Sequence, residues 1–117
     1  MFTVQFFEKN DGSIPAEDFI RSLDNKMTAR IYGILGILEE KGNFLREPYS
    51  KHLEDGIFEL RIQSGNDISR ILYFFYVNKQ IIVTNGFIKK TQKTPRIYIE
   101  TAKRYRNEFL EKQEVIK

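Results

Sequence analysis

Cysteine is absent from the 117 residues, and histidine occurs once, as His52. The first absence excludes disulfides, thiolate zinc sites and thiol nucleophiles. The second excludes a ribonuclease mechanism built on two histidines. There is no glycine-rich phosphate loop, no HExxH and no GxSxG. The carboxylates Glu39, Glu40, Glu54, Asp55, Glu59 and Asp67 are scattered without the spacing that holds a divalent ion, so neither a metal nor a cofactor is expected. The longest apolar stretch, Ile71 to Val77, is far shorter than the roughly 20 residues of a membrane helix. Met1 leads directly into Phe2-Thr3-Val4, with no basic and then apolar leader. The expectation is a cytoplasmic protein with no membrane partner.

What is present is an ordinary globular composition, 41% hydrophobic and 30% charged, enough apolar content to offset the entropy of ordering one domain over residues 1–117. The charge is unevenly placed. Residues 1–88 carry 10 Lys and Arg against 12 Asp and Glu, whereas residues 89–117 carry 9 against 4. A basic C-terminal segment points to a polyanionic partner, or else to a solvated helix face.

Residues 2–7 alternate and are rich in Phe and Val, which suits a strand. Asn10 to Ser13 is turn chemistry, and Pro15 sits near the start of a helix, where its missing N–H costs nothing. Met27, Ile31, Ile34, Leu35 and Leu38 mark a second helix that Asp24-Asn25 precedes and Gly42 closes. Residues 43–56 read as a loop. Three strands follow: Ile57–Ile62, with Ile57, Glu59 and Arg61 on one face and Phe58, Leu60 and Ile62 on the other; Ser69–Val77, almost wholly apolar; and Ile81–Ile88. Gly65-Asn66-Asp67 and Asn78-Lys79 suit hairpin turns. Pro95 opens a last helix. The expected order is β-α-α-β-β-β-α, an α+β fold whose antiparallel sheet packs against a helical hairpin and a C-terminal helix, all helices to one side.

The residues that carry chemistry are cations on these strands. Arg61 and Arg70 lie in or beside apolar runs, where a charge is costly unless it is paired or faces a groove. Lys89-Lys90 ends the last strand, and Lys93 and Arg96 follow. Each alone also reads as a surface ion pair, Arg61 with Glu59 or Arg70 with Asp67. Together, at the ends of consecutive antiparallel strands, they form a phosphate site. Preorganised Arg and Lys donors stabilise the charge that builds on phosphorus when a 2′-OH attacks, and a lysine crowded by cations is a general base in principle. Tyr73, Phe74 and Tyr98 are candidates to stack on unpaired bases, and Lys51 and His52 to contact RNA or help in proton transfer.

The runs Leu53-Glu54-Asp55-Gly56-Ile57-Phe58-Glu59-Leu60-Arg61, Ser69-Arg70-Ile71-Leu72-Tyr73-Phe74, Phe87 to Pro95 and Ala102-Lys103-Arg104 resemble the phage-derived HigB-like toxins of the RelE/ParE superfamily. The resemblance spans about residues 50–106. It implies a RelE-like fold and the toxin of a type II toxin–antitoxin system: a ribosome-dependent mRNA endoribonuclease, neutralised by a HigA-like antitoxin with a helix-turn-helix. It implies operator DNA as a target only through the toxin–antitoxin complex. It carries working roles onto Arg61, Arg70, Lys90 and Tyr98, with Lys89 as a neighbouring candidate. Glu59 departs from RelE itself, where that position is basic, and fits the HigB-like pattern. Two other readings stay open on the sequence: a ParE-like gyrase poison of the same fold, and a non-enzymatic nucleic-acid-binding module.

Overall fold

The structure is a computed structural model and describes residues 1–116. Its elements are β1 (Thr3–Phe6), α1 (Pro15–Arg21), α2 (Asn25–Lys41), a 3₁₀ turn (Gly42–Phe44), β2 (Ser50–Glu54), β3 (Ile57–Ser64), β4 (Asp67–Tyr76), β5 (Gln80–Ile88) and α3 (Arg96–Ile116). The fold is α+β, as the periodicities indicate, with one strand more than they revealed.

Local chemistry explains most boundaries. Pro15 opens α1. Asp24 caps α2, its carboxylate accepting the Met27 N–H at 2.8 Å. Gly42 ends that helix at φ +52°, and a Cβ there would lie 2.1 Å from the Phe2 ring, so only glycine fits. Asp55 and Gly56, at φ +50° and +77°, make the tight turn between β2 and β3, and Asn78-Lys79, both near φ +58°, make the one between β4 and β5.

The sheet runs β1-β5-β4-β3-β2. All neighbours are antiparallel except β1 and β5, which pair in parallel because α1 and α2 carry the chain back before it returns. The helices do not share one side. The α1–α2 hairpin packs on one face, over Leu60, Ile62, Ile71, Tyr73, Ile81 and Val83. The helix α3 covers the other, over Ile57, Leu72, Phe74, Ile82 and Phe87. A strand buried on both faces needs no polar alternation, which is why β4 reads as a nearly continuous apolar run. Among the described residues no helix is long and apolar enough to cross a membrane.

Candidate functional site

Strand pairing assembles the site. Arg61 on β3 lies directly opposite Arg70 on β4, and Arg70 in turn lies opposite Phe87 on β5. The Arg61 N–H donates away from β4, to Tyr49 O at 2.9 Å, so the two arginines occupy a pair with no hydrogen bonds between them, the closer of the two antiparallel spacings. Both share the α3 face with Glu59, two residues before Arg61. Like charges opposed across a sheet repel. What holds them is Glu59, only 2% exposed, whose Oε2 accepts from Arg61 Nε at 3.0 Å and lies 3.6 Å from Arg70 Nε. Its Oε1 accepts from the Thr94 hydroxyl at 2.5 Å.

Arg70 is itself 94% buried, being 6% exposed. Burial lowers its pKa, Glu59 opposes that shift and Arg61 adds to it; the guanidinium still stays charged. At 3.6 Å the contact to Glu59 is an ion pair and too long for a hydrogen bond, so the Arg70 Nε–H has no acceptor among the described residues. Its Nη1 reaches Ser69 O at 3.4 Å, the far limit of a bond. A buried cation with donors unmet is costly in a folded protein unless a ligand takes them up.

The other candidates sort by place. Lys89 is half-buried, and its N–H donates to Ile68 O at 2.8 Å, which continues the β4–β5 register one residue past Ile88. Lys90 lines a groove of about 410 Å³ with Phe87, Tyr98, Pro95 and Phe19. Tyr98 stacks on Phe87, centroids 4.1 Å apart and planes within 1°. Lys51 is exposed and pairs with Glu59 across β2 and β3, which places it on the arginine face. Lys93 is exposed on the loop between β5 and α3.

Three expected contacts do not join the site. His52 pairs with Phe58, so it lies on the hairpin face, tilted against the Phe58 ring and accepting the Gly56 N–H at 3.1 Å. Tyr73 is 1% exposed in the hairpin core and cannot offer a ring to a base; burial pushes its pKa up to about 12, against a 2.5 Å contact with the Ser50 hydroxyl. Arg96 is engaged with Glu54 and Glu100. Together with Lys103, which reaches Glu54 at 2.5 Å, and Arg106, which reaches Asp55 at 2.9 Å, it clasps α3 to the β2–β3 hairpin. Three of the nine C-terminal cations are therefore paired within the fold.

The clasp has a pH signature. Hydrogen bonds from Arg96, then Lys103, hold the Glu54 carboxyl near 2 against an ordinary 4.5. A depressed carboxyl stabilises the fold fully above its unfolded value and loses that contribution as pH falls toward its folded value. Wild type should therefore melt above Glu54→Gln at pH 6, and the gap should close between about pH 4.5 and 2. Thermal unfolding at stepped pH checks this, and a gap unchanged down to pH 2 contradicts it.

The arrangement can bind an anion: two arginines on adjacent strands, lysines at the end of a third, and an aromatic pair beside them. Glu59 and Thr94 are the members that sequence reasoning did not include. No curated protein matches the chain. Residues 18–107, which contain β2 through β5 and most of α3, match the model of the phage-derived Gp49-like proteins (DUF891). The chain belongs to that family, and through it to the RelE/HigB-like toxin group of type II toxin–antitoxin systems.

Proposed function

We propose that the chain is a metal-independent endoribonuclease that cuts mRNA on the ribosome and that a helix-turn-helix antitoxin of the HigA-like kind silences it. The observation that carries this reading is Arg70: buried, opposed by a second arginine, and with an Nε–H that no described residue accepts. A phosphate is the ligand that suits such donors, because planar guanidinium groups match its oxygens in pairs.

In the proposed reaction the 2′ oxygen forms a bond to the neighbouring phosphorus and the bond from phosphorus to the 5′ oxygen breaks. One proton leaves the 2′-OH and one reaches the departing 5′ oxygen. Nothing is oxidised or reduced. Arg61 and Arg70 hold the charge that grows on the non-bridging oxygens, which is the largest catalytic contribution of such sites. Lys89 adds charge at the end of β5. The proton transfers fall in this reading to Lys90 and Tyr98, which share a groove, and the half-buried Tyr98 ring, backed by the buried Phe87, is the candidate to meet a neighbouring base. Lys51 on β2 and Lys93 on the loop before α3 add further positive charge. A site whose charge comes from arginine and lysine repels a divalent cation, which supports the metal-free route.

Product chemistry tests it. Purified protein acting on mRNA in programmed ribosomes should leave a 2′,3′-cyclic phosphate on the upstream fragment and a 5′-hydroxyl on the downstream one. A 3′-hydroxyl end would mean that water, with a metal or another activator, is the nucleophile.

A further inference from the structure

Glu59 does more than cancel charge. A buried ion-paired cluster gives no stability advantage over apolar residues of the same volume. The positions around Glu59 are already apolar: Ile57 precedes it on its face of β3, and Leu72 lies opposite on β4. What the carboxylate supplies is geometry. An arginine side chain is long and rotamer-rich, and an acceptor at Nε fixes nearly all of it while leaving the terminal nitrogens available. Glu59 Oε2 accepts from Arg61 Nε at 3.0 Å and ion-pairs with Arg70 from 3.6 Å, without accepting its Nε proton. No terminal nitrogen of Arg61 donates to a protein acceptor among the described residues. The second oxygen, Oε1, takes the Thr94 hydroxyl at 2.5 Å. Thr94 lies between β5 and α3, in the segment that carries Lys89, Lys90 and Lys93. One buried carboxylate thus touches β3, β4 and that loop at once.

We propose that Glu59 is a positioning residue: it aims Arg61 and Arg70 at one phosphate and, through Thr94, holds the lysine-bearing loop beside them. The proposal rests on the ribonuclease reading above. It makes a prediction opposite in sign to bare electrostatics. Glu59→Gln removes a negative charge between two arginines, so charge alone would strengthen RNA binding and speed the reaction. Positioning instead demands slower chemistry with binding kept.

The test has a kinetic and a spectroscopic arm. Single-turnover cleavage on programmed ribosomes, over a range of enzyme concentrations, separates the maximal rate from the half-saturating concentration. For Glu59→Gln the maximal rate should fall about a hundredfold, the scale of losing one preorganised donor, with the half-saturating concentration unchanged or lower. Glu59→Asp keeps the charge but draws it back by one methylene, and should be slowed as well. Thr94→Val should be slowed about tenfold, and Thr94→Ser, which restores the hydroxyl, should recover most of that loss. If Glu59→Gln or Glu59→Asp cleaves at the wild-type rate, the proposal is wrong. If Glu59→Gln does not fold, Glu59→Asp and the Thr94 pair decide.

The spectroscopic arm uses ¹⁵N-labelled protein without RNA. The Nε–H signal of Arg61, the one bonded to Glu59, should exchange slowly with water in wild type and quickly in Glu59→Gln. Unchanged exchange overturns the proposal. Because this arm does not depend on cleavage, a wild type that cuts no RNA but shows this protected signal would sink the ribonuclease reading and leave the positioning role standing.

Discussion

Arg70→Ala is expected to slow mRNA cleavage by about 10²–10³-fold, the loss typical of removing one preorganised donor to a developing negative charge. The size follows from depth. Arg70 is 6% exposed, so no water can substitute for it as it would at a surface lysine. The fold should survive, because the substitution also removes the repulsion with Arg61 and a buried donor that lacks an acceptor. Glu59 keeps Arg61 and Thr94 as partners. Arg70→Lys should recover little, since an ammonium is a point charge and cannot reproduce the paired N–H geometry of a guanidinium. Cleavage rates beside thermal unfolding curves make the check: a variant that melts like wild type and cuts like wild type would show that the site lies elsewhere.

A large loss of stability is expected at Leu60. It is 0% exposed in the hairpin-side core, between the two site residues Glu59 and Arg61 on β3. Leu60→Ala removes buried apolar surface and leaves a cavity against the helices and Ile71, and should destabilise by about 2–5 kcal/mol. For a domain of this size that is a fall of roughly 10–20 °C in melting temperature. Because β3 passes the same backbone to both faces, the looser strand should also let Arg61 drift from its place opposite Arg70. Cleavage per folded molecule should then fall too, though far less than in Arg70→Ala. Calorimetry reads the first effect; a melting temperature within about 3 °C of wild type would contradict the packing described here.

How much of this was legible in the sequence depends on which physical signal each residue leaves. Helix α2 announced itself through the three- and four-residue steps of Met27, Ile31, Ile34, Leu35 and Leu38 and its closing glycine, and it runs Asn25–Lys41; Asp24, legible only as the end of the preceding helix, is its N-cap. Strand β2 left almost no such signal. It is an edge strand, and Ser50, Lys51, His52 and Glu54 can be polar because one edge of it meets no other strand. The sign that was there is Asp55-Gly56 before an apolar run, the pair that a two-residue hairpin turn favours. Reading that turn would have given β2, and the alternation along β2 would then have placed His52 opposite the face of Glu59 and Arg61.

Alternation also explains the fate of Tyr73. It lies three residues from Arg70 on one strand, so it must point to the other face, and it sits in the hairpin core beside Phe58 and Phe75. Arg61 and Arg70 were legible because a charge next to an apolar strand is unusual. Glu59 was legible as a partner of Arg61 but not as a buried one, because spacing gives a side chain's face and not its depth. The side of the sheet that α3 covers, and the pairing of Arg96 and Lys103 with Glu54 more than forty residues earlier, depend on tertiary packing that no local pattern encodes.

If this Gp49-like chain cuts mRNA through its arginine pair, as proposed, brief expression in bacteria should leave its mark on the transcriptome. Mapping of new RNA 5′ ends, with Arg70→Ala as the control, reads that mark. Growth arrest should come with new 5′-hydroxyl ends inside translated reading frames, absent from untranslated RNA and absent with Arg70→Ala. Arrest with intact transcripts and gyrase trapped on broken DNA, or cuts that persist unchanged in Arg70→Ala, would contradict the proposal.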